Sequence, residues 1–328
     1  MSDESFSIIQ ENDPNQEGVQ VAKEHITEEF AKFKNILTER LSPIDNETAQ
    51  IVDDIKIWLK ERLVGRFGIP EESLHWPEAI FFANEEQIRS VEQHTDQTFL
   101  RGADGSRVNG TCIPGVGIII NEDFVKSFKD EDLCKYALTN TLLEEIWHST
   151  AEPRFTVLGL DTGRLRIYRE RTGMGFMRYD SRETEKSDPV WNKAIEEGMA
   201  RFVMNDAGDL FHQITPEGWK KYLEIIKEGD YSLYHRPELS IDSNGEIAVV
   251  VGYPGAFDLI VELNKALNNR GMYHLEKARL SGNFLELARL LQKAYGKSVF
   301  RQVMATTLED AANKAEELNH LRWQKNKK

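Results

Sequence analysis

The chain has 328 residues, of which 40% are hydrophobic and 29% charged, and its formal net charge at pH 7 is −14. A chain this acidic has no broad attraction to phosphate backbones or anionic lipids, so neither nucleic acid nor a membrane is an expected partner. No apolar run approaches the roughly 20 residues that cross a bilayer, no secretory signal is recognisable, and the chain has only two cysteines, so we expect a cytoplasmic protein.

The first 75 residues predict an acidic tail and two helices. Residues 1–20 contain acidic side chains but no Lys or Arg, and we expect this tail to be disordered. Apolar residues recur at helical spacing from Val21 to Leu41, where Ser42-Pro43 ends the helix. A second helix is expected from Asn46 to about Gly65. Residues 21–75 are therefore a predicted N-terminal helical segment.

The pattern changes to mixed strands and helices between residues 76 and 210. The elements predicted there are strands at Ala79–Ala83 and Gly115–Asn121, a helix at Asp130–Thr150, a strand pair between Arg164 and Tyr179, and a helix at Pro189–Met204. Residues 211–328 are mostly helical in pattern. We expect them to form a C-terminal helical subdomain.

The helix predicted at 130–150 carries the run Glu144-Glu145-Ile146-Trp147-His148, which differs by one residue from the HExxH motif of zinc peptidases. Residues four apart lie on the same side of a helix, so Glu144 and His148 project together, with Glu145 on the flank. In HExxH the two outer residues are metal ligands and the inner Glu is the general base. Here Glu stands in place of the first His.

The surroundings of this run favour a buried site over an exposed acidic helix face. Taken alone, Glu-Glu-x-x-His is common on solvated helices. The apolar neighbours are Leu138, Leu142, Leu143, Ile146 and Trp147. They predict that the helix is largely buried, and buried Glu side chains need partners.

A second segment makes the comparison with peptidases more specific. The helix at 189–204 contains Glu196-Glu197-Gly198-Met199-Ala200. The order of strand, HExxH-like helix, strand pair and helix with Glu-Gly-x-Ala resembles the gluzincin branch of the zincin metallopeptidases over residues 76–210. Members carry a metal-ligand Glu in Asn-Glu-Gly-x-Ala, and this chain has Glu196 where Asn is usual. The resemblance implies an α+β zincin-like metallopeptidase fold, a small mixed sheet with an edge strand plus active-site helices, extended by helices at both ends.

The resemblance also implies a function. Glu144, His148 and Glu197 would hold one divalent metal, and Glu145 would take a proton from metal-bound water in the hydrolysis of a peptide. An extended peptide or protein would bind along Gly115–Asn121 as the edge strand. Glu in place of His adds negative charge, which weakens the Lewis acidity of the metal and shifts preference from zinc toward manganese or iron.

Two other functions are compatible with the same residues. In the first, the change at Glu144 abolishes catalysis, and the chain is a pseudopeptidase whose groove binds a peptide or a partner protein. In the second, Glu145 and His148 form an ExxH pair of the di-iron carboxylate type, with Glu317 and His320 as the second pair.

Three further expectations concern the site. Without a metal, the neighbouring carboxylates would crowd together and at least one would be protonated. A Glu144→His substitution is expected to restore zinc affinity to a zincin scaffold. The sequence selects no oxyanion-stabilising residue from its candidates, which are Tyr168, Tyr179, His212, Tyr234, His235 and Tyr253.

Overall fold

A computed structural model describes residues 7–9, 16–95, 108–113, 115–161, 164–180, 192–242 and 244–326. These residues form a mixed α+β fold that is mostly helical, with small sheets. Within the described ranges, no helix combines the length and the apolar character needed to cross a membrane.

The N-terminal part of the chain is a helical pair with short strands. In chain order its elements are β1 (Ser7–Ile9), α1 (Gln16–Arg40), β2 (Ser42–Pro43), α2 (Asn46–Lys60), a π-helical turn (Glu61–Arg66) and a 3₁₀ turn (Glu71–Ser73). Asp45 caps α2 by accepting a hydrogen bond from the backbone N–H of Thr48 at 2.8 Å. The two predicted helices are confirmed. The tail expected to be disordered contains β1 and the start of α1, and the rest of residues 1–15 lies outside the described ranges.

The next elements build the sheet beside the motif helix. They are β3 (Ile80–Ala83), α3 (Glu85–Thr95), β4 (Gly110–Ile113), β5 (Gly117–Asn121), α4 (Glu122–Ser127) and α5 (Glu131–Ser149). The sheet has the order β2-β3-β5-β4, with β3 parallel to β5 and β4 antiparallel to it. Ile118 and Ile120 share a buried core with Leu142 of α5, and Ile119 belongs to a second core with Leu37 of α1.

The position of β5 corrects the predicted edge strand. We expected Gly115–Asn121 to lie at the edge of the sheet, but β5 lies between β3 and β4 and is buried along its whole length. A continuous run of β-branched residues is typical of an inner strand covered on both faces. Among the described residues, β4 is the strand at that edge.

A separate sheet follows the motif helix. Strands β6 (Arg154–Asp161), β7 (Arg164–Thr172) and β8 (Gly175–Asp180) join β1 in the order β1-β6-β7-β8. Thr172 lies opposite Gly175 in the antiparallel β7–β8 pair, which confirms the predicted strand pair. Gly173 in the turn has a φ of +59°, and a Cβ there would lie 2.6 Å from Oε1 of Glu196. Glycine therefore lets this turn pack directly against the Glu196 side chain.

The remaining elements are α6 (Lys193–Asp206), α7 (Gly208–Ile214), α8 (Pro216–Glu228), a 3₁₀ turn (Leu233–His235), β9 (Glu238–Ile241), β10 (Ile247–Val250), α9 (Pro254–Ala266), α10 (Gly271–Ser281), α11 (Leu285–Tyr295), α12 (Val299–Met304) and α13 (Ala311–Asn326). The region is mostly helical, as predicted, with one antiparallel hairpin of β9 and β10. One buried cluster contains Ile146 of α5, Met199 of α6 and Ile260 of α9. The C-terminal helices therefore share a core with the motif helix.

Candidate metal centre

Helix α5 places the Glu-Glu-x-x-His run inside the fold. Asp130 caps the helix by accepting hydrogen bonds from the N–H groups of Asp132 and Leu133 at 3.0 and 3.1 Å. Ile146 and Trp147, within the run, are fully buried. The run is therefore not an exposed acidic helix face, as its apolar neighbours predicted.

Helix α6 brings the second carboxylate segment to α5. Asn192 precedes the helix with a φ of +64°, and its side-chain amide donates to the carbonyl of Met174 at 2.9 Å. Gly198 faces α9 so closely that a Cβ there would overlap the carbonyl oxygen of Ala256. The small residues of the Glu-Gly-x-Ala segment thus allow close helix packing, which fixes the position of Glu197 beside them.

The three predicted ligands lie together. Glu144, His148 and Glu197 each offer one ligand atom, and these atoms all lie within 4.8 Å of one another. The three residues are partly buried. Two carboxylate oxygens and one imidazole nitrogen are a donor set that zinc, manganese and iron accept. This Glu/His/Glu group could hold one metal ion.

Glu196 directly precedes Glu197, one predicted ligand, and its side chain pairs with His148, another predicted ligand. Its Oε1 lies 3.4 Å from Nδ1 of His148 and 3.1 Å from Nε of Arg279, and its Oε2 accepts the N–H of Met174 at 2.8 Å. Burial by itself would raise the pKa of Glu196, but Arg279, His148 and the Met174 N–H outweigh it and lower the pKa to about 2. A carboxylate on the second ring nitrogen is the usual means of orienting a histidine ligand.

Glu145 and His148 hold protons at neutral pH in the metal-free protein. Burial raises the pKa of Glu145 to about 8, with a further contribution from Glu144 and Glu197, although a backbone hydrogen bond from Cys112 opposes the shift. Burial opposes the charged form of His148, but the neighbouring carboxylates prevail and raise its pKa to about 9. The pKa of Glu197 is also raised, mainly by burial. The expected crowding of carboxylates is therefore present.

Arg201 is a site residue that the sequence analysis missed. Its Nη2 donates to Oε1 of Glu144 at 2.9 Å, and its Nη1 pairs with Glu238 of β9. The side chain is buried, and its guanidinium carbon lies 5.9 Å from the centre of the Tyr253 ring. Arg201 follows Glu197 by one helical turn, so the same i,i+4 rule that linked Glu144 to His148 could have indicated it.

Arg279 of α10 is a second missed residue, and it ties the end of α5 to Glu196. It is fully buried, its guanidinium carbon lies 3.8 Å from the centre of the Trp147 ring, and it donates to the backbone carbonyls of Trp147 and His148. Its Nη1 also pairs with Glu276 at 3.3 Å. No local pattern links residues so far apart in sequence, so the sequence offered no signal for this contact.

The charges around the group fit a bound cation. The carboxylates are those of Glu144, Glu145, Glu196, Glu197, Glu238 and Glu276, and the cationic groups paired with them are His148, Arg201 and Arg279. In the metal-free protein the protons on Glu145 and His148 limit the repulsion among these acidic groups. A divalent ion would take over that role, because a buried negative charge is costly without a positive partner.

The residues considered for oxyanion stabilisation lie in different surroundings. Tyr253 lies beside Arg201, which donates to Glu144. Tyr234 contacts Phe257 edge to face, His235 pairs with Asp258, and His212 is exposed. The side chains of Tyr168 and Tyr179 lie outside the described residues.

The second ExxH pair does not join the site. His320 is 71% exposed on α13 and pairs with Glu316 at 3.7 Å. Within the described residues, the group that could hold a metal contains neither Glu317 nor His320.

Comparison of the chain with protein-family models, with curated proteins and with solved structures gave no match. The fold and the site therefore define a mixed α+β protein, mostly helical, with a Glu/His/Glu group that could bind one metal ion. No family model, relative or solved structure supports the resemblance to gluzincins, which rests on the sequence motifs.

Proposed function

We propose that this protein is a metal-dependent hydrolase that acts on peptides, with one divalent cation held by Glu144, His148 and Glu197. The observation that carries the proposal is the convergence of these three ligand atoms within 4.8 Å, from two helices that pack together. Glu145 follows the first ligand directly, where a general base is required.

The roles of the protein groups follow from their positions. A bound cation would supply Lewis-acid activation of a water molecule and of the scissile carbonyl. Glu145 takes the proton from the attacking water and delivers it to the leaving amine. Glu196 orients the imidazole of His148.

The substrate path follows from the sheet edge. Among the described residues, strand β4, rather than β5, pairs with another strand on one side only. A Cβ on Gly110 of β4 would lie 3.1 Å from Cγ of Glu145, so a peptide added to β4 as a further strand runs past the general base. The acceptance of an extended peptide on this edge is part of the proposal.

The metal is zinc, manganese or iron, and the oxygen-rich ligand set favours the last two over zinc. Elemental mass spectrometry on protein purified without chelator or affinity metal tests the proposal. We expect one equivalent of a divalent metal in the wild type and its loss in Glu197→Ala. Glu224→Ala, on an exposed part of α8, is the matched control and should keep the metal. Absence of metal, with no uptake when zinc or manganese is added, contradicts the hydrolase.

A second candidate function is a pseudopeptidase that binds a peptide or a partner protein. The ion pair between Arg201 and Glu144 favours it, because a cation of the protein already occupies one oxygen of a ligand. This candidate requires that the chain bind an extended peptide but show no turnover with any metal. The di-iron alternative requires two equivalents of iron, and the exposure of His320 gives it no support.

A further inference from the structure

The two ligands of α5 have partners of opposite chemistry. His148 turns one ring nitrogen toward a carboxylate, that of Glu196, at 3.4 Å. Glu144 instead accepts a hydrogen bond from a guanidinium, that of Arg201, at 2.9 Å. A ligating imidazole needs an acceptor on its second nitrogen, whereas a ligating carboxylate needs a donor on its second oxygen. Each ligand therefore has the partner that its own chemistry requires.

From this match we infer that Arg201 is a positioning residue for Glu144 and compensates for the charge that Glu brings in place of His. The inference rests on the proposed metal site. Arg201 donates to Oε1 of Glu144, and a carboxylate has a second oxygen with which to ligate the metal. The negative charge added at position 144 is offset by the positive charge at 201, so the metal retains more of its Lewis acidity than the Glu/His/Glu set alone would allow.

The surroundings of Arg201 hold it in this role. Glu238 of β9 pairs with Nη1, so the planar guanidinium bridges two carboxylates and cannot rotate freely. The Tyr253 ring lies 5.9 Å from the guanidinium carbon. A Cβ on Gly252 would lie 3.3 Å from that carbon, so glycine leaves room for the side chain. A side chain fixed from three directions can fix Glu144 in turn.

If Arg201 positions Glu144, the effect of a substitution at position 144 should depend on the residue at position 201. In Glu144→His alone, the new imidazole would face a guanidinium, which cannot accept its N–H and repels a cation. In Glu144→His with Arg201→Gln, the amide oxygen accepts the imidazole N–H while the amide nitrogen still donates to Glu238. The zinc affinity expected of Glu144→His should therefore be weak in the single variant and clearly tighter in the double variant.

Titration calorimetry of the full chain with Mn²⁺ alone and with Zn²⁺ alone tests this coupling. The four proteins are wild type, Glu144→His, Arg201→Gln and the double variant. We expect Arg201→Gln to weaken Mn²⁺ binding by about 10- to 100-fold, as loss of a ligand's orienting partner usually does. The double variant should bind Zn²⁺ at least about 10-fold more tightly than Glu144→His. Arg201→Lys keeps the positive charge but not the planar guanidinium that donates to two carboxylates. Its Mn²⁺ affinity should therefore lie between those of Arg201→Gln and the wild type.

Arg62→Gln is the matched control for general destabilisation. Arg62 is also buried, pairs with Asp206, and has its guanidinium carbon 5.6 Å from the centre of the Trp58 ring. It contacts no member of the Glu/His/Glu group in the described structure, so this variant should keep wild-type metal affinity. Loss of affinity in both Arg variants alike would overturn a specific role for Arg201.

Two other results would overturn the inference. Arg201→Gln with unchanged or tighter Mn²⁺ binding and an intact fold would show that Arg201 competes with the metal. Zinc binding no tighter in the double variant than in Glu144→His would show that the positions are not coupled. If the wild type binds neither metal, the proposed function fails separately, and the comparison of single and double variants with Zn²⁺ still decides the inference.

Discussion

Glu145 has the environment of a group whose charge depends on what lies beside it. Burial and the neighbouring carboxylates raise its pKa to about 8 in the metal-free protein. A cation held by Glu144, His148 and Glu197 would reverse the balance, because a nearby positive charge favours the ionised form. The carboxylate that is protonated in the metal-free chain is then available as a base when a metal is bound.

Glu145→Gln is the residue change that separates catalysis from metal binding. Gln has nearly the same shape but cannot take a proton, so we expect peptide turnover to fall by about 10²- to 10⁴-fold. Metal content should stay at the wild-type level, because Glu145 is not one of the three ligands. Turnover is measured on a mixture of short peptides, and metal by elemental mass spectrometry. Glu131→Gln, exposed in the first turn of the same helix, is the control, and full turnover in Glu145→Gln would rule out the proposed base.

At the scale of elements, the site depends on how closely α6 packs on α9. Gly198→Ala should force these helices apart, because the added Cβ would overlap the Ala256 carbonyl oxygen and lie 2.7 Å from Cγ1 of Ile260. We expect a loss of about 1–3 kcal/mol in the free energy of unfolding, as for other overpacked cores. Metal affinity should fall too, because Glu197 precedes Gly198 directly.

Chemical denaturation and metal titration of the same protein check both effects. Gly65→Ala is the control, because its nearest neighbour to the added Cβ would be Cγ of Glu61 at 3.8 Å, an ordinary contact. It should be neutral or slightly stabilising. Wild-type stability in Gly198→Ala would mean that the helices do not pack as closely as described.

The elements show which parts of the fold the sequence could predict. Hydrophobic periodicity predicted α1 and α2, and α2 buries one regular face, whereas α5 and α6 are buried on more than one side. The strand at residues 117–121 was predicted, but its place at the sheet edge was wrong, because that place came from the resemblance and not from the β-branched pattern. Glu144 and His148 could be predicted as a pair because i,i+4 spacing on a helix fixes relative direction. Glu197 was predicted only from the resemblance of its Glu-Gly-x-Ala segment. Arg201 obeys the i,i+4 rule and was overlooked, whereas Arg279 reaches the site only through tertiary packing.

At the scale of the whole molecule, the C-terminal helices complete the site rather than extend it. Arg279 of α10 neutralises Glu196 and bonds the last carbonyls of α5, while Glu276 accepts the Trp147 N–H at 2.9 Å. Breaking such a buried ionic network by removing one partner costs about 3–5 kcal/mol. The predicted zincin-like segment at 76–210 thus depends on residues beyond it.

The shifted pKa values at the site make the stability of the whole molecule depend on pH. The pKa of Glu145 rises from 4.5 to about 8 on folding, so between these values the folded chain keeps a proton that the unfolded chain has lost. The pKa of His148 rises from 6.5 to about 9 on folding, so between these values the folded chain keeps a proton on His148 as well. Stability falls with rising pH wherever the folded state binds more protons. The stability of the metal-free chain therefore falls with rising pH, between 4.5 and about 8 through Glu145 and between 6.5 and about 9 through His148.

Glu145→Gln isolates one part of this trend. Gln resembles the protonated side chain at every pH, so the variant should match the wild type near pH 4.5 and become increasingly more stable than it up to pH 8. Thermal unfolding with a chelator present, at intervals from pH 4.5 to pH 9, measures the difference. In a separate measurement without chelator, added Mn²⁺ should raise the wild-type melting temperature more at pH 8 than at pH 6. The reason is that metal binding at low pH must displace protons from the site. A difference between the two proteins that does not change with pH would show that Glu145 is not buried among carboxylates, and the assignment of this group as a metal centre would lose its electrostatic basis.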